Sequence, residues 1–263
     1  MFNNKLKERL AQGETLLGLC NMYPSSGIIE GICKGWDFVW MDGQHGQHSY
    51  ESLLHGVQTA SSLGLETVIR VPGHEYAFLG MYADLAPSAV MVPMINNSDE
   101  AVKVAKGLRF PPLGERSYGG RRIIDLYGRD YYREAELLVI AQIETLEAVE
   151  NVCDISAIKG IDMLFFGPDD MKVRMGIPIN TKISESQELR EAMRKVGEAG
   201  RKAQKYCGCV VQSREDMQMA IEIGYSLFVC GADIGFMRTA SAEKLKEMKQ
   251  GLITGKVEAS FYG

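Results

Sequence analysis

The chain has 263 residues, of which 46% are hydrophobic and 24% charged, so it can bury a full core and has an ordinary globular composition. Its 29 Lys and Arg against 34 Asp and Glu give a formal net charge of −5 without a basic cluster, which argues against a nucleic-acid partner. The N-terminal segment is polar, and no stretch reaches ~18 consecutive apolar residues. We therefore expect a cytoplasmic protein that does not enter a membrane.

Apolar runs typical of buried strands alternate along the chain with segments of helical periodicity. The runs are residues 16–22, 38–41, 67–71, 89–94, 138–143, 163–166, 208–212 and 227–230. The clearest helical segments are residues 50–63, 98–108, 146–158, 188–205 and 214–223. Eight such repeats in about 250 residues predict a (β/α)₈ TIM barrel, with an open doubly wound sheet as the alternative. We predict a single domain over residues 1–263 that ends in an oligomerisation segment at about 242–263.

One connection is too long for a simple turn. Residues 111–136 join the fourth helix to the fifth strand and contain five arginines and four tyrosines. Long ordered connections in compact domains are usually lids or contact surfaces. Two interpretations stay open: a solvated excursion or subunit interface, or a flap over the barrel mouth in which Arg116, Arg121 or Arg122 meets an anionic substrate.

Acidic and basic side chains follow several of the predicted strands. Glu144 comes directly after the fifth strand, and Asp170 follows the sixth. Because these folds place their chemistry at the carboxyl ends of the strands, two convergent carboxylates suggest a divalent-metal site. His45 follows the second strand, Arg70 lies at the end of the third, and Asp84 lies in the third helix. This set of residue types could bind a 2-oxo acid and move protons around it.

Six segments stand in the order and approximate spacing of one enzyme family: WDFVWMDGQHG, TVIRVP, AVMVPMINNSDEA, RFPPLGERSYG, AQIETLEAVENV and GIDMLFFGPDDM. The chain resembles the HpcH/HpaI family of class II 2-oxo acid aldolases, which are metal-dependent (β/α)₈ barrels. By that resemblance Glu144 and Asp170 bind Mg²⁺, Mn²⁺ or Co²⁺. His45 is the acid/base residue supported by Asp84, and Arg70 faces the carbonyl or enolate oxygen.

The resemblance also implies a substrate-binding set and an assembly. Gln142, Gly167, Pro168 and Asp169 would contact the substrate, whose carboxylate lies on the backbone after Gly167 and Pro168. We expect Asp169 to cap the following helix. Asp42 is expected to orient the turn that carries His45 through backbone bonds. The family assembles as hexamers, so a homo-oligomer is implied.

The expected reaction is reversible cleavage of a 4-hydroxy-2-oxo acid to pyruvate, or a close 2-oxo acid, and a small polar or acidic aldehyde. Two further functions stay open: a related metal-dependent lyase acting on a CoA ester or oxaloacetate, and a non-catalytic metabolite-binding barrel. The structural alternative for Glu144 and Asp170 is a salt bridge to a barrel arginine. Two positions depart from the family pattern, since Gln44 stands where Glu is usual and Ser117 where Gly is usual.

Overall fold

The computed structural model describes residues 4–134 and 137–250 and contains a closed barrel of parallel strands. Each strand pairs with the next along the chain, and the last pairs with the first. The strands are β1 (Leu16–Asn21), β2 (Phe38–Asp42), β3 (Glu66–Arg70), β4 (Ala89–Val92), β5 (Leu138–Ile143), β6 (Met163–Phe166), β7 (Tyr206–Val210) and β8 (Leu227–Ala232). The predicted TIM barrel is confirmed, and closure of the sheet rules out the open alternative.

Helices cover the outside of the barrel and separate the strands. They are α1 (Lys5–Ala11), α2 (Ser26–Ile32), α3 (Tyr50–Ser62), α4 (Tyr76–Ala83), α5 (Ser98–Leu108), α6 (Arg121–Tyr127), α7 (Leu146–Glu150), α8 (Val152–Ala157), α9 (Pro168–Met175), α10 (Gln187–Ala203), α11 (Arg214–Glu222) and α12 (Asp233–Lys249). The prediction of a single helix over residues 146–158 is wrong. The segment divides at Asn151, whose side-chain amide donates to the backbone carbonyl of Asn96 at 2.9 Å.

The strands are mostly apolar because both of their faces are buried. Side chains that point into the barrel form one cluster, and those that point outward pack against the helices as a second, larger cluster. Only glycine fits at position 18, because a Cβ on Gly18 would lie 2.3 Å from the inward-pointing ring of Phe38. Residues two apart share a face of a strand, so Trp40 lies in the barrel interior directly below Asp42 at the mouth.

The long connection after α5 has its own structure. It contains α6 and a short 3₁₀ turn at Tyr131–Arg133, and the ring of Tyr118 stacks on that of Tyr131 with centroids 5.7 Å apart. Phe110 packs edge-on against Tyr131 at 5.6 Å. These contacts form a small aromatic cluster beside the barrel. Residues 135–136 at the end of the predicted connection, and 251–263 of the predicted oligomerisation segment, lie outside the described residues.

The three arginines considered for a flap all have partners within the chain. Arg116 is buried and pairs with Asp84, and Arg121 pairs with Asp125 on α6 itself. Arg122 donates from Nε to the carbonyl oxygen of Leu85 at 3.0 Å. Across residues 4–134 and 137–250, no helix has the length and apolar character needed to cross a membrane.

Candidate active site

Polar side chains gather where β2, β3 and β5 end. Asp42 and Arg70 are the last residues of β2 and β3, Gln142 is the penultimate residue of β5, and Glu144 follows that strand directly. All four are at least nine-tenths buried. In an otherwise apolar barrel, such groups are tolerated only when they are hydrogen-bonded or paired. Their contacts join them into one continuous chain.

Arg70 forms a two-point ion pair with Asp42. The guanidinium donates from Nε to Oδ1 at 2.8 Å and from Nη2 to Oδ2 at 2.5 Å, and its Cζ lies 4.7 Å from the centre of the Trp40 ring. Burial alone would raise the pKa of Asp42. The bonds from Arg70, together with the backbone amides of Gln44 and His45, outweigh burial and hold that pKa below its ordinary value.

Asp42 also shapes the turn after β2. Its Oδ1 accepts the backbone N–H of Gln44 at 3.0 Å and that of His45 at 3.2 Å. The expectation that Asp42 orients this turn through backbone bonds is confirmed. His45 itself is exposed, whereas the Arg70–Asp42 pair is buried. Within the described part of the chain, no hydrogen bond or ion pair joins His45 to Asp84.

Gln142 connects the arginine to the next carboxylate. Its Oε1 faces Arg70 Nη1 at 3.5 Å, and its Nε2 donates to Glu144 Oε2 at 2.6 Å. The other oxygen of Glu144, Oε1, accepts the backbone N–H of Met94 at 2.8 Å. Both oxygens of Glu144 are therefore held by neutral donors, and each keeps lone-pair capacity.

Glu144 is only 2% exposed, and burial raises its pKa to about 7. The Met94 amide opposes this rise, the nearby Asp170 carboxylate adds to it, and Arg70 and Arg174 reduce it. Asp170, in the first turn of α9, is half-buried. Among residues 4–134 and 137–250, no Lys, Arg or His nitrogen lies within ion-pairing distance of either acid. The salt-bridge alternative for these two acids therefore has no support from the described contacts.

The donor set of Glu144 and Asp170 fits a hard divalent cation. Two like charges lie near each other without a cationic partner, and carboxylate oxygens are the ligands that Mg²⁺ and Mn²⁺ prefer. In the described part of the chain, no cluster of three or more His, Cys, Asp or Glu residues is arranged to hold a metal ion. Two protein carboxylates leave most of a coordination sphere for water and substrate, as Mg²⁺ sites usually require.

Gly167 packs directly against Glu144. A Cβ at Gly167 would be 2.7 Å from Cβ of Glu144 and 2.9 Å from its Oε2, so only glycine fits here without displacing Glu144. Gly167 is the N-cap of α9 and Pro168 its first residue, so the expectation that Asp169 caps this helix is wrong. Asp169 lies within the first turn and accepts Nζ of the buried Lys172 at 3.0 Å.

Comparison with known proteins identifies the family. The profile described as HpcH/HpaI aldolase/citrate lyase matches residues 28–240. The chain belongs to the HpcH/HpaI family. It is 27% identical over 268 residues to the 2-keto-3-deoxy-L-rhamnonate aldolase of Shigella sonnei, with 99% of each chain covered. It is 33% identical over 180 residues to the 4-hydroxy-2-oxovalerate aldolase of Novosphingobium aromaticivorans, covering 66% of this chain and 68% of that one.

The same likeness holds in three dimensions. The crystal structure of a HpcH/HpaI aldolase/citrate lyase family protein from Burkholderia cenocepacia superposes with a TM-score of 0.84 at 28% identity, covering 94% of this chain and 100% of that one. This HpcH/HpaI protein is therefore an enzyme of the aldolase and lyase class, as the sequence predicted.

Three residues near the site were not expected from the sequence. Trp40 supports the guanidinium of Arg70, a role that the two-residue spacing from Asp42 could have suggested. Met94 supplies a backbone amide to Glu144, and no residue type signals that in advance. Arg174 lies one helical turn after Asp170, and its Nη2 contacts Sδ of Met94 at 3.6 Å.

The two departures from the family pattern have different surroundings in this HpcH/HpaI enzyme. Gln44 has a buried side-chain oxygen, Oε1, which accepts no hydrogen bond from the described residues. Ser117 is exposed beside the buried Arg116. Arg116 pairs with Asp84 at 2.7 Å and stacks on Phe110, with its Cζ 4.9 Å from the ring centre. The Asp84 side chain is thus bound to the long connection.

Proposed function

We propose that this enzyme is a divalent-metal-dependent aldolase that reversibly cleaves a 4-hydroxy-2-oxo acid to pyruvate, or a close 2-oxo acid, and an aldehyde. The observation that carries the proposal is the pair of acids, Glu144 and Asp170, which lie near each other without a cationic partner among the described residues. Membership of the HpcH/HpaI family supports the reaction class.

Glu144 and Asp170 would hold Mg²⁺, Mn²⁺ or Co²⁺. Such an ion, when bound, acts as a Lewis acid that polarises the substrate carbonyl and reduces the cost of negative charge developing on its oxygen. The protein's own part is to hold these carboxylates in the correct orientation. Gln142 and Met94 do this for Glu144 by donating one hydrogen bond to each of its oxygens.

Arg70 is placed to receive the substrate carbonyl oxygen. Nε and one N–H of Nη2 are occupied by Asp42, which leaves N–H groups on Nη1 and Nη2 for a ligand. The guanidinium stays protonated at any working pH, and Asp42 and Trp40 fix its plane. It would therefore stabilise an enolate oxygen without reorganising, which is where fixed charges contribute most to catalysis.

The N-terminus of α9 would hold the substrate carboxylate. Pro168 has no N–H, but Asp169 and Asp170 present backbone N–H groups that have no acceptor earlier in the helix. Such N–H groups, together with the helix dipole, favour an anion. Gly167 gives this end of the helix its close approach to Glu144, so the carboxylate and the carbonyl of one small acid could be bound together.

His45 would carry the proton transfers. In the cleavage direction it removes the proton of the C4 hydroxyl while the C3–C4 bond breaks, which releases the aldehyde and leaves the bonding pair on C3 as an enolate. The enolate then takes a proton at C3 to give pyruvate. The reverse sequence adds pyruvate enolate to an aldehyde. His45 is exposed at the mouth, where an aldehyde can reach it, and Asp42 holds its backbone.

The test is pyruvate release from a panel of 4-hydroxy-2-oxo acids by chelator-treated enzyme, with Mg²⁺, Mn²⁺ or Co²⁺ restored separately. We expect release only with metal, and losses of at least ~100-fold in Glu144→Ala, Asp170→Ala and His45→Ala. The control is Glu150→Ala, an exposed carboxylate at the end of α7. Undiminished, chelator-sensitive activity in both Glu144→Ala and Asp170→Ala would show that the metal assignment is wrong.

Two other functions receive less support from the described contacts. A lyase for CoA esters needs basic groups for the CoA phosphates, and Arg116, Arg121 and Arg122 already have partners in the chain. If CoA esters competed with pyruvate for binding to the enzyme, that result would favour the CoA-ester lyase. A binding-only barrel is suggested by Gln44 alone. It would be stabilised by pyruvate and show no turnover with any metal.

We also propose that the enzyme works as a homo-oligomer. Several large apolar side chains of α12 are exposed, including Phe236, Leu245 and Met248 at 43%, 55% and 60%. Exposed apolar groups in one helix are typical of a surface that is covered in an assembly. Light scattering should give a mass that is a multiple of 29.1 kDa, and a mass near one chain would refute the proposal.

A further inference from the structure

Met94 has an unusual backbone. It is one of three residues other than glycine with a positive φ in the described chain, at +57°. A methionine in this left-handed region is strained, and such strain persists only where surrounding contacts enforce it. This conformation directs the backbone N–H of Met94 at Glu144 Oε1, 2.8 Å away.

Asn96 enforces the conformation of Met94. Its Nδ2 donates to the backbone carbonyl of Met94 at 3.0 Å, and its Oδ1 accepts the hydroxyl of Thr145 at 2.6 Å. Thr145 is the residue directly after Glu144. The side chain of Asn96 thus links the segment that follows β4 to the segment that follows β5. The hydrogen bond from Met94 to Glu144 joins the same two segments.

The backbone of Asn96 is itself anchored at both of its polar groups. Its N–H donates to Glu100 Oε2 on α5 at 2.7 Å, and its carbonyl accepts Nδ2 of Asn151 at 2.9 Å. Asn151 is the residue at which the helical segment after β5 divides into α7 and α8. The 93–97 turn is therefore held by α5, by the junction between α7 and α8, and by Thr145.

We propose that Met94 and Asn96 are positioning residues for the metal ligand Glu144. The 93–97 turn fixes the plane of the Glu144 carboxylate. This inference rests on the proposed metal role of Glu144. Met94 N–H binds one carboxylate oxygen and Gln142 Nε2 binds the other, at 2.8 and 2.6 Å. Two fixed donors leave one orientation of the carboxylate, with the remaining lone pairs available to a cation.

The test compares two substitutions at position 94 in full-length, chelator-treated protein, with Mn²⁺ binding followed by electron paramagnetic resonance. Valine is β-branched and disfavours a positive φ, whereas glycine adopts it freely. Both substitutions remove the contact between Sδ and Arg174, so they differ in backbone preference. We expect Met94→Val to weaken Mn²⁺ binding ~10- to 100-fold and Met94→Gly to stay within about threefold of the wild type.

A second pair of variants tests Asn96 independently of position 94. Asn96→Ala removes both side-chain bonds of the turn and should also weaken Mn²⁺ binding ~10- to 100-fold. Ser213→Ala is its control. Ser213 caps α11 by accepting the N–H of Asp216 at 3.1 Å and makes no hydrogen bond to Met94, Asn96 or Glu144, so its loss should lower the melting temperature and leave Mn²⁺ binding unchanged.

The outcomes separate this inference from the proposed function. If the wild type binds Mn²⁺ and Glu144→Ala does not, but Met94→Val and Asn96→Ala bind like the wild type, the positioning role is overturned and the metal site stands. If neither the wild type nor any variant binds Mn²⁺, both proposals fail. Should Met94→Val not fold, as judged by circular dichroism, the comparison of Asn96→Ala with Ser213→Ala decides.

Discussion

Replacing Glu144 by Gln should change how the stability of the metal-free protein depends on pH. Burial raises the pKa of Glu144 from 4.5 to about 7 in the folded chain. A carboxyl with a raised pKa contributes stability that is fully present below pH ~4.5, where it is protonated in both the folded and the unfolded chain. That stability is lost as pH rises through ~7. For a residue that is 2% exposed, the shift corresponds to about 3 kcal/mol, most of it lost between pH 5 and pH 8.

The assay is urea unfolding in the presence of a chelator at pH 5 and pH 8, at one protein concentration. The Glu144→Gln variant also alters the bonds from Gln142 and Met94, at a cost of about 1 kcal/mol. That cost is nearly the same at both pH values, so it cancels when the two free energies of unfolding are subtracted. We expect the wild type to lose about 2–3 kcal/mol more than the variant between pH 5 and pH 8.

The control and the refuting result are equally direct. Glu150→Gln changes an exposed carboxylate on α7 and should leave the pH dependence of the wild type unaltered. If wild type and Glu144→Gln show the same pH dependence to within ~0.5 kcal/mol, the carboxyl of Glu144 is not destabilised by burial. Burial of Glu144 would then give no energetic reason for a cation to bind at this site.

Three further results are expected. Because a cation binds the carboxylate form of Glu144, calorimetry in buffers of different ionisation enthalpy should show close to one proton released per Mg²⁺ at pH ~6 and almost none above pH 8. Arg70→Lys removes the two-point bond to Asp42 and the contact with Trp40, and kcat/KM should fall ~100- to 1000-fold with little loss of secondary structure by circular dichroism. Gly167→Ala places a methyl group against Glu144, so metal affinity should fall ~10-fold or more in a titration monitored by Mn²⁺ resonance; unchanged affinity would show that the α9 end can move away.

The barrel was predictable because its strands carry a simple signal. Strands buried on both faces are continuous apolar runs, and the predicted bounds of β5 and β6 match the structure residue for residue. The placement of Glu144 and Asp170 followed from those bounds. Where a strand is bent away from the sheet, the signal failed: the fourth run was predicted to reach residue 94, but β4 ends at Val92, because Met94 has turned into the left-handed region.

The contacts inside the site could not be read from the sequence. Which of several acids pairs with Arg70 depends on strand register, and β2 and β3 place Asp42 directly beside it. The partner of Asp84 depends on the path of the long connection, which brings Arg116 to it from 32 positions along the chain. The cap of α9 was mispredicted because Asp169 is a common capping residue, whereas the close approach of Glu144 requires Gly167 in that position.

The chain of contacts across the barrel mouth explains why two buried acids have opposite character. Asp42 receives the guanidinium of Arg70, and its pKa is held below the ordinary range. The positive charge of Arg70 is thereby paired with Asp42, and Arg70 is linked to Glu144 only through the neutral amide of Gln142. Glu144 is left buried beside Asp170 with no counter-charge in ion-pairing distance among the described residues, and its pKa is raised to about 7. Environments that separate the pKa values of neighbouring carboxyls also separate their roles. Asp42 is suited to hold the arginine in place, and Glu144, together with Asp170, is suited to bind a divalent cation.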